Sequence, residues 1–446
     1  MIQNYNIFTE DFQAKDISIK TVSKENIRGE TVIVLDAVQI IPDDLTCPNC
    51  GSISIYKKGI YIRKITYLEA FGYPSLINLR QQRFVCRDCK KTFNLDNSLV
   101  TKNGTISNNV KRKALFELQS KQSITDVASR LKVSITTILN EFDDNVFVPR
   151  KKLSEVICID EFKANTDKGK MACVIGNPIT SEIIDVLPNC DLAYLLWYFN
   201  KIESDECLNV KYCIFDLHEG YRRACRSHFK NAILIADRFH WIRITVQAFN
   251  NIRIEIMKEY LKKSSSTKDF DEAREYKMYY EILKNGWKLF LANRSKKDDA
   301  FFEQNYSKKI NNSIMTIQDV IELALNSNER LNNAYNVLQD LYKLSVYSSF
   351  ESFNYDINEW IEKAKETSEY QFEKVIHTYK SWKKEIKASF IINSITNKRM
   401  TNGFIEGKNN YNKVVKRIAF GYKSFDKIRN RIMYVNSYIL NLLNKK

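Results

Sequence analysis

The chain has 446 residues, of which 44% are hydrophobic, 12% aromatic and 27% charged. That much apolar material supports packed cores in two to four domains and excludes a disordered chain. The longest apolar runs, at 192–199 and 232–236, fall far short of the ~20 residues a spanning helix needs, and Met1 opens a polar stretch with no signal-peptide core, so membrane and secreted readings are set aside.

With 69 Lys and Arg against 53 Asp and Glu, the formal charge is +16 and the pI about 9.2. A polyanionic partner is expected, nucleic acid first. The ten Cys comprise two C-x-x-C pairs and six scattered singly in apolar settings, which suits a reducing cytoplasm rather than a disulfide framework.

Residues 1–45 read as a small lead-in element with β-like stretches such as Thr31–Leu35, broken at Pro42. From 46 to 95, β-rich runs lie between Cys47-Pro48-Asn49-Cys50 and Cys86-Arg87-Asp88-Cys89. Two-residue spacing lets both sulfurs of a pair reach one metal, so Cys47, Cys50, Cys86 and Cys89 predict a closed, structural Zn²⁺ site in a zinc ribbon, with Phe93 packed beneath the second pair. Free thiols or redox pairs are the bland alternative. Arg80, Arg83, Arg87, Lys90 and Lys91 surround the second pair and suggest a basic surface facing DNA, or simply a solvated charged face.

Residues 96–148 read as three helices, Ser107–Gln119, Ile124–Leu131 and Ile135–Phe142, with Lys132-Val133-Ser134 as a tight turn. That pattern is a helix-turn-helix. Ser123 and Ser134 are placed as caps, and Val127, Ala128, Leu131, Ile135 and Ile138 as core. Thr136, Thr137 and Asn140 become the exposed residues of a DNA-recognition helix.

Five short buried strands follow, at 156–160, 171–176, 182–187, 211–216 and 232–237. A helix capped by Asp191, with Leu192, Leu195, Leu196 and Phe199 on one face, separates the third from the fourth. From 241 to 390 the strand signals vanish and Lys/Glu-rich helical periodicity dominates. Trp241, Trp287, Trp360 and Trp382 in that stretch read as packing residues. Residues 379–446 hold 16 Lys and Arg against three acids, a local excess of +13.

Three acids carry the chemistry: Asp160 and Asp216 close apolar strands, and Glu406 lies in the basic C-terminal region. Active sites gather at strand ends in open α/β sheets. Carboxylates from separate elements can hold two Mg²⁺ ions for phosphodiester chemistry. Asp237 also follows a short strand, and either it or Asp216 could be the middle carboxylate. Glu161 is left out of the metal site because strand alternation turns it away from Asp160. His218, His228 and His377 have no partner pattern. On the Glu406 helix, Asn409, Asn410, Lys413, Lys416 and Arg417 are expected to line a DNA groove while Ile405, Val414, Val415 and Ile418 turn inward.

These marks together resemble a bacterial insertion-sequence DDE transposase of the ISL3 family over nearly the whole chain. The resemblance rests on the paired Cys knuckles, the helix-turn-helix, Ile159-Asp160-Glu161, Asp216 followed by Tyr221, and Ala236-Asp237-Arg238-Phe239-His240. The most specific piece is Thr401-Asn402-Gly403-Phe404-Ile405-Glu406-Gly407 with Asn409 and Asn410, continuing through Lys416-Arg417 and Gly421-Tyr422. It implies an α/β multidomain fold: lead-in 1–45, zinc ribbon 46–95, helix-turn-helix 96–148, and a ribonuclease-H-like core at 149–240 and 391–446, split by an all-helical insertion at 241–390. It also implies Mg²⁺ as cofactor, Mn²⁺ as a substitute, and cleavage at terminal inverted repeats followed by joining to target DNA. In the strand order it implies, the middle acid comes at the end of the fourth strand, which favours Asp216 and leaves Asp237 and His240 as a D-x-x-H feature. The expected assembly is a homodimer or larger on DNA, in the bacterial cytoplasm and associated with the nucleoid. A hydrolysis-only nuclease and a non-catalytic DNA-binding regulator are the competing readings.

Overall fold

The computed structural model describes residues 16–418, apart from 121, 309, 311, 312 and 395, together with 423–436. Gly421, Tyr422 and the Ile418 side chain lie outside the described residues. The chain divides into two compact units: residues 1–149, 164–168 and 411–446 in the first, and 150–163 with 169–410 in the second. No helix among the described residues is long and apolar enough to cross a membrane.

In the first unit, β1 (Ile17–Ile27) and β2 (Glu30–Gln39) form a hairpin whose two turn residues, Arg28 and Gly29, both have positive φ. That turn matches the right-handed twist of the strands. β3 (Ile55–Ala70) and β4 (Tyr73–Cys86) form a second, longer hairpin, and β2 pairs parallel with β4 from Ile33↔Ser75 to Val38↔Arg80. The sheet order is β1-β2-β4-β3, with β5 (Thr92–Asn94) on β4. The stretch read as a separate lead-in is therefore continuous with the strands that carry the cysteines. Ile33, Leu35, Ala37, Ile65, Ile77 and Leu79 bury one face of this sheet.

Three helices follow: α1 (Asn108–Leu118), α2 (Ile124–Arg130) and α3 (Ile135–Asn145). Ser107, Ser123 and Ser134 each accept a hydrogen bond from a first-turn N–H, as N-caps do. Val110, Ala114, Leu118, Val127, Ile138 and Phe142 form the core. Ile135 was expected there but is 45% exposed, because it stands at the first position of α3, ahead of the buried face that starts at Ile138. The last described helix, numbered α17 below (Phe425–Val435), packs on this trio although nearly 300 residues separate them. Its Tyr434 meets Phe142 edge-on at 5.5 Å, and its fully buried Arg431 donates to the carbonyls of Leu118, Ser120 and Gln122. These carbonyls cluster at the end of α1, where a helix leaves acceptors unpaired. The sequence reading had assigned this segment to the catalytic core.

The second unit is built on a sheet ordered β10-β9-β6-β7-β8. The strands are β6 (Val156–Thr166), β7 (Gly169–Asn177), β8 (Glu182–Leu187), β9 (Tyr212–Phe215) and β10 (Ile233–Ala236). β7 and β8 are antiparallel, whereas β9 runs parallel to both β6 and β10. Helices α4 (Leu192–Asn200), α5 (Ser204–Leu208) and α6 (Glu219–His228) connect them. After β10, helices α7 (Arg238–Ser266) through α15 (Lys383–Ala388) occupy the expected helical stretch. One continuous core runs from Ile157, Cys213 and Phe215 of the sheet through Trp241, Trp360 and Trp382 of the helices. Trp287 differs from the other three tryptophans in being 42% exposed. A two-stranded ladder, β11 (Ile392–Asn393) with β12 (Lys398–Arg399), precedes α16 (Gly403–Ile418).

Candidate functional site

The four knuckle cysteines converge: their sulfurs all lie within 4.8 Å of one another, with Cys47–Cys89 and Cys50–Cys86 both at 3.6 Å. A tetrahedron of Zn–S bonds ~2.3 Å long has sulfur–sulfur edges of about 3.8 Å, so the donor set and spacing fit Zn²⁺. Gly51, at positive φ, turns the first knuckle and returns its N–H to the Cys47 carbonyl at 2.8 Å. Backbone hydrogen bonds from Cys89 and Asp88 draw the Cys86 thiol down to about 6, against desolvation. Despite a backbone hydrogen bond at Ser52, desolvation and the three neighbouring thiols push Cys50 up to about 12. Phe93 stacks on Phe84 with ring centroids 5.7 Å apart.

Asp160, Asp216 and Asp237 occupy matching positions on three adjacent parallel strands. Ile159 pairs with Phe215, and Phe215 with Ala236, so each acid is the next residue past the last paired position. β6 runs on beyond β9, which leaves Asp160 within its strand but past its partner's end. Burial, then the neighbouring Asp216 charge, raises the Asp160 carboxyl to about 6, against hydrogen bonds from the Glu161 backbone and Asn409.

Asp237 is 4% exposed and fully engaged. Its Oδ1 accepts the Asn402 backbone N–H at 2.9 Å, and its Oδ2 accepts the Phe239 N–H that caps α7 and lies 3.1 Å from His240 Nδ1. His240 Nδ1 is also 2.9 Å from Asp216 Oδ1. Burial opposes the charged ring, but hydrogen bonds and charge from Asp216 and Asp237 win and lift His240 to about 10. Asp216, Asp237 and His240 thus form a tight cluster, with the His240 Nδ1 within 3.1 Å of both carboxylates. Asp216 Oδ1 is buried, with His240 Nδ1 as its partner.

A cleft of about 420 Å³ opens beside Asp216, lined also by Glu161, His218, Tyr221, His240 and Arg243. Glu161, set aside on strand alternation, therefore faces the same cleft as Asp216, and the Tyr221 hydroxyl approaches it at 3.5 Å. His218 donates its backbone N–H to the Asp216 carbonyl, and its ring contacts Tyr221 at 4.7 Å.

Glu406 is exposed in the first turn of α16. The start of that helix lies close over β7: a Cβ on Gly176 would come within 3.0 Å of the Phe404 ring. Asn409, expected in a DNA groove, is instead buried at 4% and donates from Nδ2 to Asp160 Oδ2 at 2.7 Å. Asn410 and Arg417 are exposed, Lys413 and Lys416 half-buried. Val414, expected inward, is 38% exposed, while Ile405 and Val415 are buried. On α3, Thr136 and Asn140 are exposed, whereas Thr137 is half-buried with its hydroxyl 2.8 Å from Ser134 Oγ at the cap. Asn402 had no role in the sequence reading. The signal that could have found it is its place directly before the helix that carries Glu406, where an Asn is a favoured cap.

A family model described as a transposase, of the DDE type of the ISL3 group, matches residues 157–432. A second, described as the zinc-finger of transposase IS204/IS1001/IS1096/IS1165, matches residues 44–89. No curated protein matches the chain. The chain belongs to the ISL3 family of insertion-sequence DDE transposases.

Proposed function

We propose that the protein is a transposase that binds the terminal inverted repeats of an insertion sequence, hydrolyses a phosphodiester there and joins the freed 3′-OH to target DNA. The observation that carries this reading is the register that sets Asp160 and Asp216 side by side, each one residue past the last paired position of two parallel strands, in a unit that also holds Glu406. An antiparallel run followed by two parallel strands, in the order β10-β9-β6-β7-β8, supports a ribonuclease-H-like core. The capped trio α1–α3 supports a helix-turn-helix.

Asp160, Asp216 and Glu406 are the ligands we assign to divalent cations, Mg²⁺ by preference and Mn²⁺ as substitute. Two carboxylates in neighbouring register, one of them lining an open cleft, fit a hard cation. When bound, such ions activate the attacking oxygen and stabilise the leaving one. The chain's own groups do the rest. Asp237 holds the His240 ring against Asp216, which orients that carboxylate. Thr136 and Asn140, with Thr137 at the cap, read base edges, and Asn410, Lys413, Lys416 and Arg417 meet phosphates. The zinc site shapes the ribbon. Two-ended synapsis calls for at least a dimer, acting in the cytoplasm on the nucleoid.

The test is a donor-plus-target assay with a labelled element end and Mg²⁺. We expect a nicked 3′-OH end and a joined product. Nicking without joining would mean a hydrolysis-only nuclease, and end binding with neither would mean a regulator.

A further inference from the structure

We propose that Asn402 and Asn409 are positioning residues, an amide clamp that fastens the Glu406 helix to the strand ends and holds Asp160 in its metal-binding rotamer. This rests on the carboxylate assignment above. Asn402 immediately precedes α16, and Asn409 lies three residues beyond Glu406 within it. The asparagines on either side of Glu406 are both buried at 4%. Asn402 gives its backbone N–H to Asp237 and brings its side-chain Nδ2 to 3.5 Å from the Ile159 carbonyl. Asn409 Nδ2 donates to Asp160 Oδ2 at 2.7 Å and to the Glu161 carbonyl at 3.3 Å.

The choice of amide has a physical reason. Asp160 Oδ1 already accepts the Glu161 N–H at 2.7 Å, so Asn409 completes a grip on both oxygens. A carboxylate at 409 would repel Asp160, and a Lys there would neutralise the charge a cation needs. An amide donates a proton, fixes the rotamer and leaves the charge intact. The other end of each amide supports the same reading: Asn402 Oδ1 and Asn409 Oδ1 are buried acceptors without a donor among the described residues. Leaving such groups unpaired is costly. Water around a bound cation would satisfy them.

The experiment is Mn²⁺ titration calorimetry on the full-length protein carrying Asn409→Ala, Asn409→Leu, which keeps the side-chain volume, or Asn402→Ala. For both Asn409 variants we expect Mn²⁺ affinity to fall ~10–100-fold, as for other groups that orient metal ligands. Zinc content, melting temperature and metal-free DNA binding should stay at wild-type values, and cleavage should recover as metal is raised. Asn402→Ala should lose less, because its backbone bond to Asp237 survives. Mn²⁺ affinity within twofold of wild type in both Asn409 variants, with or without a lower melting temperature, overturns the clamp. Asp160→Asn is the control. If it abolishes metal binding while the Asn409 variants bind normally, the clamp alone falls; if it binds Mn²⁺ like wild type, the carboxylate assignment falls and the clamp with it.

Discussion

Asp237 and Asp216 sit one strand apart yet face opposite demands. Both oxygens of Asp237 already serve protein groups, the Asn402 N–H on one side and the Phe239 N–H with His240 on the other. Asp216 pairs with His240 through Oδ1 and, unlike Asp237, lines the open cleft. Neutralising Asp216 to Asn should therefore abolish cleavage and joining while end binding persists. Asp237→Asn should retain activity reduced ~10–100-fold, the usual loss for a group that orients a ligand. A Cys at 216 should regain activity when Mn²⁺ replaces Mg²⁺, and a Cys at 237 should not. Single-turnover cleavage of a labelled end reads both comparisons, and activity in Asp216→Asn would overturn the assignment.

At the scale of elements, α17 completes the α1–α3 trio. Arg431 donates to three carbonyls at the end of α1, and hydrogen bonds from a charged donor contribute ~1.5–3 kcal/mol each. Arg431→Ala should destabilise the first unit by about 3 kcal/mol or more and raise amide exchange throughout α1–α3, measured by urea melts and hydrogen exchange. Unchanged exchange in α1 would sink this account. On the recognition helix, exposed Asn140 should act differently from Lys416: Asn140→Ala should lower preference for the terminal repeat over random DNA, and Lys416→Ala should weaken binding to both with a shallower salt slope. Equal losses on both DNAs for Asn140→Ala would remove the base-reading role.

These elements also show what was legible in the sequence and why the rest was not. The serine caps at 107, 123 and 134 act within one turn, and C-x-x-C spacing acts within one loop, so both were readable in a short window. The strand ends before Asp216 and Asp237 followed from apolar runs that stop at an acid, whereas β6, expected to close at Asp160, runs on to Thr166. Arg431 looked like one more cation in a basic tail, because nothing near it in sequence marks the α1 carbonyls as its partners. Asn409 looked like a groove residue for the same reason: its acceptor is 249 positions away. That Glu161 lines the cleft beside α6 and α7 was not legible, because alternation along a strand says nothing about what packs beside it.

In the whole molecule, the zinc site lies in the sheet that also holds β1 and β2. Metal binding of this kind is coupled to folding. Chelation should therefore loosen residues 17–39 along with 46–95, which hydrogen exchange can follow, and protein prepared without chelator should carry one zinc per chain. Protection of β1 and β2 that survives zinc removal would show that the hairpin folds by itself.

The first unit is assembled from three separate stretches of chain, and that arrangement imposes an order in time. On the ribosome α3 is finished 280 residues before α17 begins. At ~5–20 residues per second this interval lasts roughly 15–60 s, during which Phe142 and the carbonyls at the end of α1 await their cover. A nascent chain stalled before Phe425 should bind element ends no better than unrelated DNA, so that recognition of the element is acquired only as synthesis nears its end.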